Sequence, residues 1–222
     1  MQCVIFVIFY IIFELLHYIL SNKFTFNEIY FILHVIVNTI IIILCISCSI
    51  LFFDDPLGLY LTNESCPEIY YNYPILASLH VLHMRYNINH IDISEMIHHI
   101  LSFVFWGLTN YLNHPIYILS LVGMSGIAGG ITYLLLFLVK QNIINKITEK
   151  QISTYLNLWI RQPLCSIFAI IFMTRLCYID DKYSYFDKIC IIFMAFFTFI
   201  NGTYFMKTIL RSYYSSYSNY SR

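Results

Sequence analysis

The sequence predicts an all-α fold, a polytopic membrane helix bundle of about seven transmembrane helices. Three observations predict it. Of the 222 residues, 59% are hydrophobic and only 11% charged, whereas a soluble domain carries roughly 25% charged residues. A globule this apolar has too few polar groups to cover its own surface. The apolar residues also fall in long unbroken runs, near the roughly 17–25 residues that a spanning helix needs. Lastly, Lys and Arg divide unequally between alternate connections, as they do in membrane proteins. The formal net charge is zero, which gives no sign of a nucleic-acid partner.

The first run, Val4 to Leu20, starts without a basic n-region or an A-x-A-like cleavage site, and so reads as a retained helix rather than a signal peptide. The runs that follow are Asn27 to Phe53, Tyr73 to Ile88, Ser94 to Leu112, Pro115 to Val139, Ser153 to Tyr178 and Phe186 to Leu210. The third is short and polar; it is kept because Asn87 to Asp92 reads as a turn and Ser94 restarts an apolar helix. The chain divides into an N-terminal helix with its loop (1–26), a six-helix membrane domain (27–211) and a flexible tail (212–222) rich in Ser and Tyr. Seven cysteines form no framework, and Cys45 and Cys48, inside an apolar run, read as small packing residues.

With seven spans, one side receives Lys23, Arg85, Lys140, Lys146, Lys150, Lys207, Arg211 and Arg222, and the other Arg175, Lys182 and Lys188. The richer side is expected to be cytosolic, which puts the N-terminus in the lumen of the endoplasmic reticulum or another endomembrane and the C-terminus in the cytosol. The loop Asp54 to Asn72 lacks Lys and Arg, falls on the luminal side, and holds the sequon Asn63-Glu64-Ser65. Cys66 and Cys177 fall there too, as a pair whose separation sequence cannot set.

Ionisable residues inside a membrane are costly and by default functional candidates. Counted from the cytosolic helix ends at 1.5 Å per residue, Glu14, His34, His83 and His80 lie about 8–12 Å deep. His98 and His99 lie about 6–8 Å in, and Arg161 and Asn201 about 12–14 Å. These residues form one polar band, to which the fifth helix contributes Gly126, Gly129 and Gly130 instead. The band predicts a pocket opening toward the cytosol. Separate interhelical hydrogen bonds would give the same pattern.

Within Asp92 to His99, Glu95 neighbours both His98 and His99 at helical spacing. It is either a capping residue or the carboxylate that orients an imidazole for general-base catalysis. The two histidines point about 100° apart, so one of them faces a given substrate. His80 and His83 share a helix face; they make interhelical hydrogen bonds, or join His98 or His99 in a three-histidine metal site. Gly123, Gly126, Gly129 and Gly130 allow close helix packing, or a break whose backbone faces a cavity. Arg161, beside Pro163, either binds a lipid phosphate or pairs with Glu14.

The run from Asp92 to His99, followed by Ile100-Leu101-Ser102, resembles the histidine-pair helix of the TRAM–LAG–CLN (TLC) domain family, and Arg161 is similar to an arginine on a later helix there. The resemblance implies six core helices around a lipid cavity, with one helix added at the N-terminus. It carries His98 and His99 over as catalytic or lipid-contacting residues. The paired aspartates of the acyl-transferring members are absent, since no Asp lies between His99 and Tyr178.

Three functions follow as expectations. The first is a TLC-like protein that binds, senses or modifies membrane lipids, with Arg161, His80, His83, Gly129 and Gly130 against the lipid. The second is an acyltransferase or metal-dependent lipid-modifying enzyme using His98, His99 and Glu95. The third is a seven-helix receptor or transporter. No cofactor is assigned.

Overall fold

The structure, a computed structural model, describes residues 2–88, 93–178 and 183–220, and of residues 94, 95, 219 and 220 the backbone alone. Its described residues are helical with no strand, and seven helices account for nearly all of them. They are α1 (Gln2–Leu20), α2 (Phe26–Asp54), α3 (Asn72–Asn87), α4 (Ile93–Leu112), α5 (Pro115–Lys140), α6 (Lys146–Tyr178) and α7 (Tyr185–Tyr220). Five of them, α1, α2, α5, α6 and α7, are long and apolar enough to cross a membrane. The other two fall short of that measure. α3 has only 16 residues, and α4 spreads two histidines, two serines, Glu95, Thr109 and Asn110 over its length.

The helix ends follow from local chemistry. The Glu28 carboxylate accepts from both the N–H and the hydroxyl of Thr25, closing a capping box on α2. Asn113 and Asn142 adopt left-handed φ values of 46° and 57°, the conformation that ends a helix. Pro115 then opens α5, where its missing N–H is not needed. Asn145 caps α6, its side chain accepting from Thr148 N–H at 2.7 Å. α6 therefore starts seven residues before the apolar run at Ser153. At the other end of the chain, the Ser/Tyr-rich stretch to Tyr220 is helical and continues α7.

Both long helices α5 and α6 contain one wide turn. Ile127 N–H bonds to Val122 O and Gln162 N–H to Asn157 O, each skipping five residues instead of four. In α6 the cause is local. Pro163 lacks an N–H and its ring crowds the carbonyl four residues earlier, and the wide turn just before it absorbs the misfit. The helix continues past the proline, just as α5 continues past its glycines.

Polarity is arranged from the outside in. Val4, Ile8, Ile11 and Leu15 line an exposed stripe of α1, while His34, Asn38, His80, His83, His99 and Arg161 are buried. These helices fit an integral membrane protein, whose apolar surface faces lipid and whose polar groups face one another. Glycines set the closest approaches. A Cβ at Gly202 of α7 would lie 2.6 Å from Gln162 Oε1 and 2.7 Å from Cys165 Cβ of α6. One at Gly130 of α5 would lie 3.1 Å from Asn38 Cβ of α2. α1 packs on the outside of α3, and α4 touches α3 and α7 only lightly.

The loop between α2 and α3 is fastened by Arg175. Its Nη1 donates to the Leu57 and Gly58 carbonyls, and Nη2 lies 2.8 Å from His114 Nε2. Burial and the adjacent guanidinium push His114 down to about 3, so the ring stays neutral and accepts this hydrogen bond. Cys66, in the same loop, and Cys177 are both free thiols.

Candidate functional site

Helices α2 to α7 enclose a cavity of about 310 Å³. It lies in the half of the bundle nearer the α1–α2, α3–α4 and α5–α6 turns. His34 and Asn38 come from α2, His80 from α3, His98 and Ser102 from α4, Gly129 and Thr132 from α5, Glu149 and Arg161 from α6, and Asn201 and Phe205 from α7. Leu76, Phe105, Leu121, Met124 and Phe197 make up an apolar wall. α1 contributes nothing, so the polar band has six contributors rather than seven.

The two adjacent histidines part company. His98 lines the cavity. His99 is 1% exposed and turned to α3, its Nδ1 lying 2.6 Å from His80 Nδ1 and its Nε2 3.2 Å from His83 Nδ1. Asn87 Nδ2 lies 3.4 Å from His83 Nε2. With neutral rings, one direction fits this whole row: Asn87 donates to His83, His83 to His99, and His99 to His80. The row runs from the α3 end to the cavity wall. His83 stands behind that wall, its ring 3.9 Å from that of Tyr30.

The three-histidine metal site is not formed. A chelate brings three nitrogens to about 2.0–2.1 Å from one point, whereas the two nitrogens of His99 face different partners on opposite edges of one ring. Among the described residues no group of three His, Cys, Asp or Glu side chains is placed to hold a metal ion. The Glu95 side chain and Asp92 lie outside the described residues, and with them the orienting role expected of Glu95.

Arg161 does not pair with Glu14. Glu14 accepts from Tyr10 Oη at 2.7 Å and Tyr86 Oη at 2.6 Å, and its ion-pair partner is Arg85, outside the cavity. Arg161 is instead the last rung of a polar stripe along one face of α6. Ser153 Oγ donates to Glu149 at 3.0 Å, Asn157 Nδ2 to Ser153 O at 2.8 Å, and Arg161 Nη1 to Asn157 Oδ1 at 2.9 Å. All four residues are buried. Glu149 in turn faces Lys150 at 3.4 Å.

The Arg161 guanidinium lies 4.7 Å from the Phe205 ring and against Gly129, where an added Cβ would come within 3.3 Å of Nη2. Gly129 thus makes room for the arginine. Gly130 faces α2 and is not part of the lining. Arg161 Nε, Asn38 Oδ1 and Thr132 Oγ1 are buried without a hydrogen-bond partner, and all three residues line the cavity. A buried unsatisfied group costs about 1–3 kcal/mol, more when charged, and these three atoms are closed off from the cavity and from solvent alike.

Sequence reasoning missed Glu149, Asn157, Asn38 and Thr132. The signal for the α6 residues is their spacing. Glu149, Ser153, Asn157 and Arg161 recur at every fourth position, one helix face, but Glu149 precedes the apolar run that starts at Ser153. No family model matches the chain, and no curated protein or solved structure matches it, so the site stands on its own geometry.

Proposed function

We propose that the chain is a seven-span membrane protein of TLC-like type that binds or senses a membrane lipid in the cavity enclosed by α2–α7. The N-terminus is luminal and the C-terminus cytosolic, in the endoplasmic reticulum or another endomembrane. The observation that carries the lipid reading is the cavity's two-sided lining. Buried polar residues, Arg161, Asn38 and His80 among them, share the lining with an apolar wall, which suits a molecule with a polar head and a hydrocarbon body. α3 and α4 span in this reading because their polar residues turn inward, with His80, His83 and His99 buried.

The test is native mass spectrometry of the full chain in detergent. Wild type retains a stoichiometric lipid, and Ser102→Trp, which fills the cavity from α4, loses it. Wild type without lipid, or Ser102→Trp with the same lipid content, would sink the reading.

A second reading, a lipid-modifying enzyme, is favoured by the histidine row. It ends at His80 in the cavity wall, where His98 is the cavity-facing candidate base. In that case purified wild type converts supplied lipid acceptor and acyl donor to product, and His98→Ala keeps the lipid but makes none. Absence of product with either protein leaves binding as the function.

A further inference from the structure

Arg161 is a cation sealed into an apolar bundle. It is 6% exposed and lines the cavity. No carboxylate among the described residues lies within ion-pair distance of it. Glu149, on the same helix face, is three turns away, about 18 Å by helical rise, and sits beside Lys150. Of the other described carboxylates at this end, Glu14 belongs to Arg85 and Glu28 to Thr25 and Gln141. One hydrogen bond, to Asn157, and the Phe205 ring are the contacts that favour the charge. Nε has no partner.

Buried charges are paired or bound to a counter-ion, because desolvating an isolated ion is far costlier than any neutral hydrogen bond recovers. The charge also lies where a counter-ion can reach it. Arg161 lines the cavity, and a planar fork of N–H donors matches carboxylate and phosphate oxygens two at a time. Asn38 and Thr132 line the same cavity and add polar character beside the guanidinium.

We propose that the cavity's ligand is an anion: Arg161 binds the phosphate or carboxylate of the molecule whose hydrocarbon part lies on the apolar wall. The proposal rests on the lipid reading and narrows it to acidic lipids. Phosphate monoesters and fatty carboxylates share the required chemistry, as does a free anion.

The full chain, delipidated in detergent, is titrated separately with dioleoyl phosphatidic acid, oleate, dioleoylglycerol and inorganic phosphate, and dissociation constants are read by native mass spectrometry and thermal shift. Phosphatidic acid or oleate is expected to bind at least about tenfold tighter than dioleoylglycerol, roughly the discrimination that one charge-assisted hydrogen bond supplies. Arg161→Gln is expected to abolish that preference while holding or raising the Tm of the empty protein, since it removes an uncompensated charge. Arg161→Lys keeps the charge without the fork and stands in if Arg161→Gln does not fold.

Equal binding of the acidic and neutral lipids, or a preference that survives in Arg161→Gln, overturns the anion assignment and leaves the lipid reading intact. Binding of inorganic phosphate alone through Arg161 keeps the anion site and removes the lipid. Binding of no probe removes both. Glu95→Gln is run alongside. A loss of Tm in that variant that Arg161→Gln cancels would supply an internal counter-charge and overturn the assignment.

Discussion

The imidazole of His99 makes two hydrogen bonds to other histidines inside the bundle, while that of His98, one residue earlier, faces the cavity. Substitution therefore separates them. His99→Ala removes both bonds and strands a buried nitrogen on each of His80 and His83. At about 1–3 kcal/mol for each unsatisfied group, the expected loss is about 2–5 kcal/mol. His98→Ala faces open space and is expected to cost less than about 1 kcal/mol, with its effect falling on bound ligand instead. Unfolding in mixed detergent micelles, beside ligand content, reads both quantities; equal destabilisation by the two variants would overturn the division. The 100° offset between consecutive helical residues made it legible that only one of the pair could face a substrate. Which one depends on how α4 is rotated against α3, and a lone helix pattern carries no information on that.

Helix α6 shows why part of the site stayed hidden. A hydropathy run starts at Ser153, but the helix starts at Lys146 because Asn145 supplies a cap and Glu149 turns inward. Polar residues that face a cavity look like loop residues to any measure that averages around the helix. Spacing at every fourth position keeps the face information that averaging discards, and on that measure the stripe from Glu149 to Arg161 is visible in the sequence. Glycines divide in the same way. Gly202 sits where α6 and α7 press together, and Gly202→Ala drives a Cβ into Gln162 and Cys165. Overpacking of that kind costs about 1–3 kcal/mol. Gly107 of α4 has nothing within 4 Å of an added Cβ, so Gly107→Ala gains about 0.5–1 kcal/mol of helix propensity. Opposite shifts in Tm are expected from the same chemical change. A fall in both would mean that the exposed face of α4 is covered by something else.

At the scale of the molecule, length and hydropathy located the seven helices, because long apolar runs broken by Asn, Pro and capping residues leave few alternatives, but not every end: α6 starts at Lys146 rather than Ser153 and α7 runs past Leu210 to Tyr220. The lining of the cavity was legible only as a band of depths, since depth along a helix is set by rise per residue and facing is set by partners. Orientation is a separate property, set by charge at the membrane surfaces, and the chain carries its own reporter for it. Asn63-Glu64-Ser65 lies in the exposed loop between α2 and α3, and Asn219, at the end of α7, begins the sequon Asn219-Tyr220-Ser221 of the sequence. Between them stand α3 to α7. Five crossings put these two sequons on opposite sides, and so do three crossings if α3 and α4 form a hairpin that does not traverse, while a third sequon, Asn201-Gly202-Thr203, lies inside α7. In either case a single luminal glycan is expected. In the proposed orientation the excess of Lys and Arg near Lys140, Lys146, Lys150 and Lys207 lies on the cytosolic side with the C-terminus, and Asn63 is the residue expected to be modified. Expression in cells with an N-glycosylation pathway should give a glycosidase-sensitive band that Asn63→Gln abolishes and Asn219→Gln leaves unchanged. The reverse pattern would invert the protein and place the mouth of the Arg161 cavity toward the lumen. Modification at both sites would require an even number of crossings between them, so that one helix of the bundle stops short of traversing the membrane.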